Sequence, residues 1–283
     1  MNNTIYTVNR DKQEILMWIN NSINPNKNIP ANFYDSYSIF VTNNGDIYYD
    51  TGGKNGRVDK WISNTDTFVP VMNDNSGSYG LFIDINNTLY CSIYSNHKIV
   101  KRCLNDSEMI STTAAGAGIR GSTSNELWNP MGIFVDINFD LYVADCFNHR
   151  IQLFKSGELN GTTIVGKGSS NNIISLTYPS GIVLDADKYL FIVDRDNHRI
   201  IRSGSNDIRC IIGCDKTGSQ SHQLSMPTTL SFDSYGNIFI TDGLNNRIQK
   251  FDFLSNSCGS TINENILLRE LQNGPGPKTK IVS

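Results

Sequence analysis

Residues Leu141-Tyr142-Val143-Ala144-Asp145-Cys146-Phe147-Asn148-His149-Arg150-Ile151-Gln152-Leu153-Phe154 decide the fold, because versions of this stretch recur along the whole chain. Its first half alternates large apolar residues with smaller ones, as a half-buried strand does. Asp-x-x-Asn-His then makes a tight polar turn, and Arg150-Ile151-Gln152-Leu153-Phe154 alternates again as the returning strand. The stretch therefore reads as a β-hairpin with a polar tip. Aligned on the aliphatic residue after the turn, the copies centre on Ile15, Val58, Ile99, Ile151, Ile200 and Ile248. The intervals between them are 43, 41, 52, 49 and 48 residues, which suits an array with one four-stranded unit per copy.

Every hairpin but the first follows a short apolar run, centred on Ile39-Phe40-Val41, Leu81-Phe82-Ile83, Ile133-Phe134-Val135, Ile182-Val183-Leu184 and Leu230-Ser231-Phe232. Continuous apolar runs of this length fit fully buried strands. Each ends in a short turn, such as Asn43-Asn44-Gly45-Asp46, Asn86-Asn87 or Tyr235-Gly236-Asn237, and three are entered through a proline turn, at Pro130, Pro179 and Pro227. A weaker fourth strand and a Gly/Ser/Asn loop fill the rest of each unit. The matching loops around Gly116, Gly166 and Gly213 make Gly-rich turns part of the repeat. About 24 strands cannot form one flat sheet, because strands twist. A β-solenoid needs a shorter period of about 20–30 residues. The expected fold is all-β: a six-bladed propeller of four-stranded antiparallel blades over residues 1–258, with the apolar run innermost. The chain opens at the second strand of its first blade. That blade's inner strand is sought within Ile262 to Leu271 of the 259–283 segment, with a flexible tail after it, or in a lost N-terminal segment. The second is preferred, because the tail lacks the Pro-x-Gly-aliphatic-Asp signature.

Composition narrows the function. The 283 residues carry 24 Lys and Arg against 27 Asp and Glu, a net charge of −3 without long runs, so a nucleic-acid partner is not expected. No apolar run reaches the ~18 residues of a membrane helix, and from the polar Met1-Asn2-Asn3-Thr4 no signal peptide is expected within this sequence. Six cysteines (Cys91, Cys103, Cys146, Cys210, Cys214, Cys258) include no C-x-x-C pair. Cys210 with Cys214, and Cys91 with Cys103, are candidate disulfides, against the alternative of buried thiols. Sequons begin at Asn2, Asn20, Asn86, Asn105 and Asn160. Together with the cysteines they point to an extracellular or secretory setting and a glycoprotein, with a cytoplasmic setting left open; a monomer is expected.

The hairpins 141–154, 190–202 and 238–251 resemble NHL repeats, matching at Asp145/Asn148/His149/Arg150, Asp194/Asn197/His198/Arg199 and Asp242/Asn245/Asn246/Arg247. Asn55/Gly56/Arg57 and Asn96/His97/Lys98 match in part, with Ile93 in the Asp slot of the latter. The resemblance covers residues 3 to about 255 and implies the six-bladed propeller. Such propellers serve unrelated functions, so the site must be read from its own residues.

His97, His149 and His198 invite a three-histidine metal site. One per blade tip, they are spread around the ring, so a structural role is expected and no metal or cofactor is assigned. Asp145, Asp194 and Asp242 are expected to cap their own turns, with the arginines pairing to them or to a neighbouring blade. Asp84, Asp136, Asp185 and Asp233 end inner strands where calcium-dependent propeller lactonases carry ligands, but turn capping explains them as well. Gly166-Lys167-Gly168-Ser169-Ser170 lacks the full phosphate-loop spacing, and neither G-x-S-x-G nor H-E-x-x-H occurs. The leading expectation is a non-catalytic scaffold that binds a protein or small ligand through the variable loops. Its candidate contacts are Arg120, Trp128, Lys167, Tyr178, Lys216 and His222. A propeller enzyme like the amidating lyase or the lactonases, with a channel metal, is the alternative. A substrate-recruiting module like those of NHL ubiquitin ligases is the third.

Overall fold

The structure is a computed structural model that describes residues 4–19, 22, 24–34, 36–52, 56–73, 76–170, 173–204, 207–254, 261–262 and 281–282. Six antiparallel sheets stand in a ring. Blade 2 contains Ile39–Val41, Ile47–Asp50, Arg57–Ile62 and Thr67–Asn73, and blade 3 contains Ser78–Ile83, Thr88–Ile93, Lys98–Cys103 and Thr112–Ala115. Blade 4 is Ile133–Val135, Leu141–Asp145, Arg150–Phe154 and Thr162–Gly166. Blade 5 is Pro179–Leu184, Leu190–Asp194, Arg199–Ser203 and Ile208–Ile212. Each runs from its inner strand to its outer strand in chain order. Three strands of blade 6 are described, Pro227–Phe232, Ile238–Asp242 and Arg247–Phe251, where four were expected.

Blade 1 holds Thr4–Asn9, Glu14–Ile19 and Lys27–Pro30, and it draws its innermost strand from the other end of the chain. Ile281–Val282 pairs antiparallel with Tyr6 and Thr7, between the inner strands of blades 6 and 2. The closing strand therefore lies beyond the stretch 262–271 offered for it. Thr261–Ile262 pairs instead with Phe253–Leu254, and residues 263–280 are outside the described set.

The period-2 pattern sets which side chains meet. The second and third strands of each blade bury their alternate residues against the next blade, as with Leu141, Val143, Ile99 and Leu127 between blades 3 and 4. Neighbouring inner strands come so close that a Cβ on Gly132 would lie 2.6 Å from the Ser180 carbonyl oxygen. The same contact carries a hydrogen bond from Gly132 N–H to Ser180 O at 2.8 Å, so this glycine is required by space rather than by a turn. Pro179 and Pro227 lie within their strands, not before them, as first residues followed by a bulge. A first-strand position needs no N–H, which is why proline is tolerated there.

Cys210 and Cys214 form a disulfide, Cα to Cα 5.7 Å. Cys91 and Cys103 do not bridge, so that expectation is corrected: they sit on adjacent strands three pairs out of register, too far offset to meet. Cys146 is a buried thiol, and Cys258, Asn2, Asn20 and Asn55 lie outside the described residues. No helix among the described residues is long and apolar enough to cross a membrane.

Candidate functional site

The hairpin tips and the loops that lead into the inner strands share one face of the ring, and the repeat motif ties them together. Asp145, with none of its surface exposed, accepts hydrogen bonds from Trp128 N–H at 2.7 Å, Asn148 Nδ2 at 2.8 Å and Arg150 Nε at 2.7 Å. Asp194 does the same with Thr177 N–H, Asn197 and Arg199, and Asp242 with Ser225 N–H, Asn245 and Arg247. The backbone donor comes from the lead-in loop 17 residues upstream, not from the aspartate's own turn as the sequence suggested. Burial raises the Asp145 carboxyl above its ordinary range, working against the Trp128, Asn148 and Arg150 donors that lower it.

The arginines extend the clamp. Arg150 donates to the carbonyls of Ser122, Thr123 and Glu126, and Arg247 to those of Ser219, Gln220 and Gln223. Each thereby fastens its own blade's Gly/Ser loop. The histidines make the cross-blade contact instead. His97, His149 and His198 all occupy the left-handed region, with φ of 53°, 57° and 56°. Their Nδ1 atoms accept the N–H of Asn129, Tyr178 and Met226, each of which precedes the next blade's proline. Nδ1 must be unprotonated to accept. At His97 burial, then the Arg120 charge, lowers the pKa, which keeps the ring neutral.

On the opposite face Asp84, Asp136, Asp185 and Asp233 each accept two backbone N–H bonds within the turn they begin, for example Asn138 and Asp140 on Asp136. The Gly166 segment is likewise engaged, with Lys167 N–H donating to His149 O at 3.1 Å. Among the described residues no three His, Cys, Asp or Glu side chains converge as metal ligands.

The motif leaves two positions per tip unspent, the pair between Asp and Asn. They hold Cys146 and Phe147 in blade 4, Arg195 and Asp196 in blade 5, and Gly243 and Leu244 in blade 6. Tyr94 and Ser95 are their blade 3 equivalents. These residues and the lead-in loops form an aromatic row. Tyr37 stacks on Tyr79 (centroids 4.0 Å, 14° between planes), and Tyr79 stacks on Tyr94 (4.3 Å). Tyr94 meets Phe147 edge-on at 6.1 Å, and Phe147 touches both Trp128 and Tyr178. Arg10 lies over Tyr37 and Arg120 over Trp128, closing the row with a cation at each end. Of the six residues picked from sequence, the structure thus gathers Arg120, Trp128 and Tyr178. Lys167 and Lys216 are exposed and His222 half-buried, and none of the three joins the row.

Beside the row opens a cavity of about 950 Å³ that runs along the inner strands. Its walls are Ile39, Leu81, Ile133, Ile182, Leu230 and their neighbours. Tyr37, Tyr79 and Tyr94 stand at its mouth with Arg195, the one charged side chain lining it among the described residues. Tyr94, Phe147 and Arg195 are not apparent as contacts from sequence because they sit inside the repeat motif. The signal was present all the same: within Asp-x-x-Asn-His-Arg, the x-x pair changes chemical character in every blade from 3 to 6.

No protein-family model matches the sequence, and no curated protein is similar to it. Solved structures are similar in fold. The virginiamycin B lyase of Staphylococcus aureus is 14% identical, with a TM-score of 0.62, over 87% of this chain and 76% of that one. A chain of a nidogen/laminin complex is 14% identical, with a TM-score of 0.69, over 99% and 97%. A Bacteroides thetaiotaomicron protein of unknown function is 15% identical, with a TM-score of 0.70, over 88% and 66%. At such identities the likeness is one of fold: the chain is a six-bladed β-propeller whose structural neighbours include both an enzyme and a protein found in a complex.

Proposed function

We propose that this chain is an NHL-type propeller that acts as a non-catalytic binding module, holding a protein or small ligand on the face formed by its hairpin tips. The observation that carries the reading is the half-exposed aromatic row from Tyr37 to Phe147, Trp128 and Tyr178, with Arg10 over Tyr37 and Arg120 over Trp128, opening onto a cavity with apolar walls. Aromatic and arginine side chains clustered on a rigid scaffold supply contact area at low entropic loss. The histidines give Nδ1 to the next blade's backbone and so hold neighbouring tips together. The Cys210–Cys214 bridge and the exposed sequon residues Asn86, Asn105 and Asn160 support placing the monomer outside the cell.

Trp128 offers the test. Trp18 and Trp61 are buried, so the Trp18→Phe/Trp61→Phe protein reports from this face alone. Titrated with a panel of peptides, glycans and amphiphiles, it is expected to show a saturable change in emission that Tyr94→Ala or Phe147→Ala removes while the fold persists. Multiple-turnover conversion of a bound compound, seen by mass spectrometry, would overturn the reading. So would saturable binding that ignores both substitutions.

A further inference from the structure

Every arginine of the repeat motif in blades 4 and 6 has its guanidinium consumed by an aspartate and by loop carbonyls. Arg195 differs. Its Nε pairs with the adjacent, partly exposed Asp196 at 3.1 Å, and its two Nη nitrogens have no hydrogen-bond acceptor among the described residues. It occupies the first variable position of the blade 5 tip and lines the cavity, near enough to Tyr94 for its charge to act on the phenol.

Below the mouth the walls turn apolar. Phe40, Phe82 and Phe134 pack edge to face across blades 2 to 4, with Ile182, Leu230 and Phe232 opposite. Each inner strand pairs on one side only, so backbone groups face the channel between these apolar side chains. An apolar body lying along the side chains removes their carbon from water. At about 950 Å³ the cavity lies at the upper end of the roughly 300–1,000 Å³ typical of small-molecule sites.

We propose that the channel is a binding site for a monoanionic amphiphile, such as a medium- or long-chain carboxylate. Its head group is held by the Nη nitrogens of Arg195, and its apolar body descends between the inner strands. The proposal rests on the binding-module reading and names the ligand class of that face. A planar carboxylate suits the arginine fork, and the phenols of Tyr37, Tyr79 and Tyr94 rim the mouth where head group meets tail. Asp196 beside Arg195 disfavours polyanions, since a second negative charge would meet the carboxylate.

Calorimetric titration of the full chain with dodecanoate, dodecanol and dodecyltrimethylammonium, each kept below its micellar range, tests this. The wild type is expected to bind one dodecanoate and to prefer it over the cation by about 10- to 100-fold, the range of one charge-assisted contact. Arg195→Gln should erase that preference and Arg195→Glu should invert it, with thermal melts confirming that both variants fold. Equal affinity for all three probes, no binding of dodecanoate, or unchanged preference in the variants overturns the proposal. If dodecanoate fails while Trp128 still reports another ligand on the face, the channel assignment falls and the binding module stands. If a panel compound is turned over, the module itself falls.

Discussion

Replacing Arg150 by alanine probes whether the tip motif holds each blade's lead-in loop. In the native protein Asp145 is fully buried and Arg150 is 9% exposed by its side chain, and the arginine reaches one carboxylate and three carbonyls. Removing one partner of a buried pair leaves an uncompensated charge, at a cost of about 3–5 kcal/mol. For a domain of this size that corresponds to a fall in Tm of roughly 6–15 °C. Arg247, 8% exposed and equally ligated, should behave alike. Arg199 is 25% exposed and donates to one described loop carbonyl, Ser175 O, so Arg199→Ala should cost less, about 1–3 kcal/mol. The assay is urea unfolding at equilibrium, with amide exchange to localise the change: the loop 118–128 should lose protection in the Arg150 variant while 218–224 keeps it. Two controls sharpen the result. The folded-state pKa of Asp145, already raised by burial, rises further without its cation. A carboxyl with a raised folded pKa loses stability as pH increases, so the Arg150→Ala deficit should be smaller near pH 5 than near pH 7.5. The double variant Asp145→Asn/Arg150→Met, which buries no charge, should recover more than half of the deficit. Equal losses at the three arginines, or a deficit that ignores pH, would refute the account.

Further outcomes follow from single groups. His97 is neutral in the folded state, its pKa depressed by burial and then by Arg120, so its share of stability is full above the unfolded value of about 6.5 and is lost as pH falls. In urea titrations His97→Asn should flatten that acid limb, because asparagine does not titrate. The Cys146 thiol, pushed up to about 12 chiefly by burial, should resist iodoacetamide at pH 8 in the native protein, while half-buried Cys103 is alkylated, as peptide mapping would show. Gly166 has φ of +90°, and a Cβ there would strike the His149 carbonyl oxygen and Arg150 Cα, so Gly166→Ala should destabilise by about 1–3 kcal/mol in the same unfolding assay.

What the sequence showed and hid follows the reach of each interaction. Blade number, strand order and the hairpins follow from period-2 patterning and short turns, which are local, so Leu141 to Phe154 can be read without knowing its neighbours. The closing strand could not be read, because Ile281–Val282 is two residues long and its place depends on partners at the other end of the chain, Tyr6 and Thr7. The acceptor role of Asp145 was foreseen but its donor was not, since nothing in a turn announces an N–H 17 residues upstream. Among candidate contacts, Trp128 and Tyr178 were picked as aromatics in variable loops. Phe147 and Arg195 were passed over because their neighbours looked structural.

That oversight points to how the face is built. In the tips of blades 4 and 5 aspartate, asparagine, histidine and arginine direct their polar atoms at one another, at the lead-in loop and at the following blade, and so have little left for a ligand. Because they fix the tip so fully, the x-x pair between them is held at the channel mouth whatever its chemistry. A tyrosine in blade 3, a phenylalanine in blade 4, an arginine in blade 5 and a leucine 68% exposed in blade 6 occupy this pair. Exchanging these residues should therefore alter what binds and leave stability nearly unchanged, whereas exchanging the residues that flank them should do the reverse. The repeat and the site occupy the same turn, and the division between them falls on which side chains have hydrogen bonds left to give.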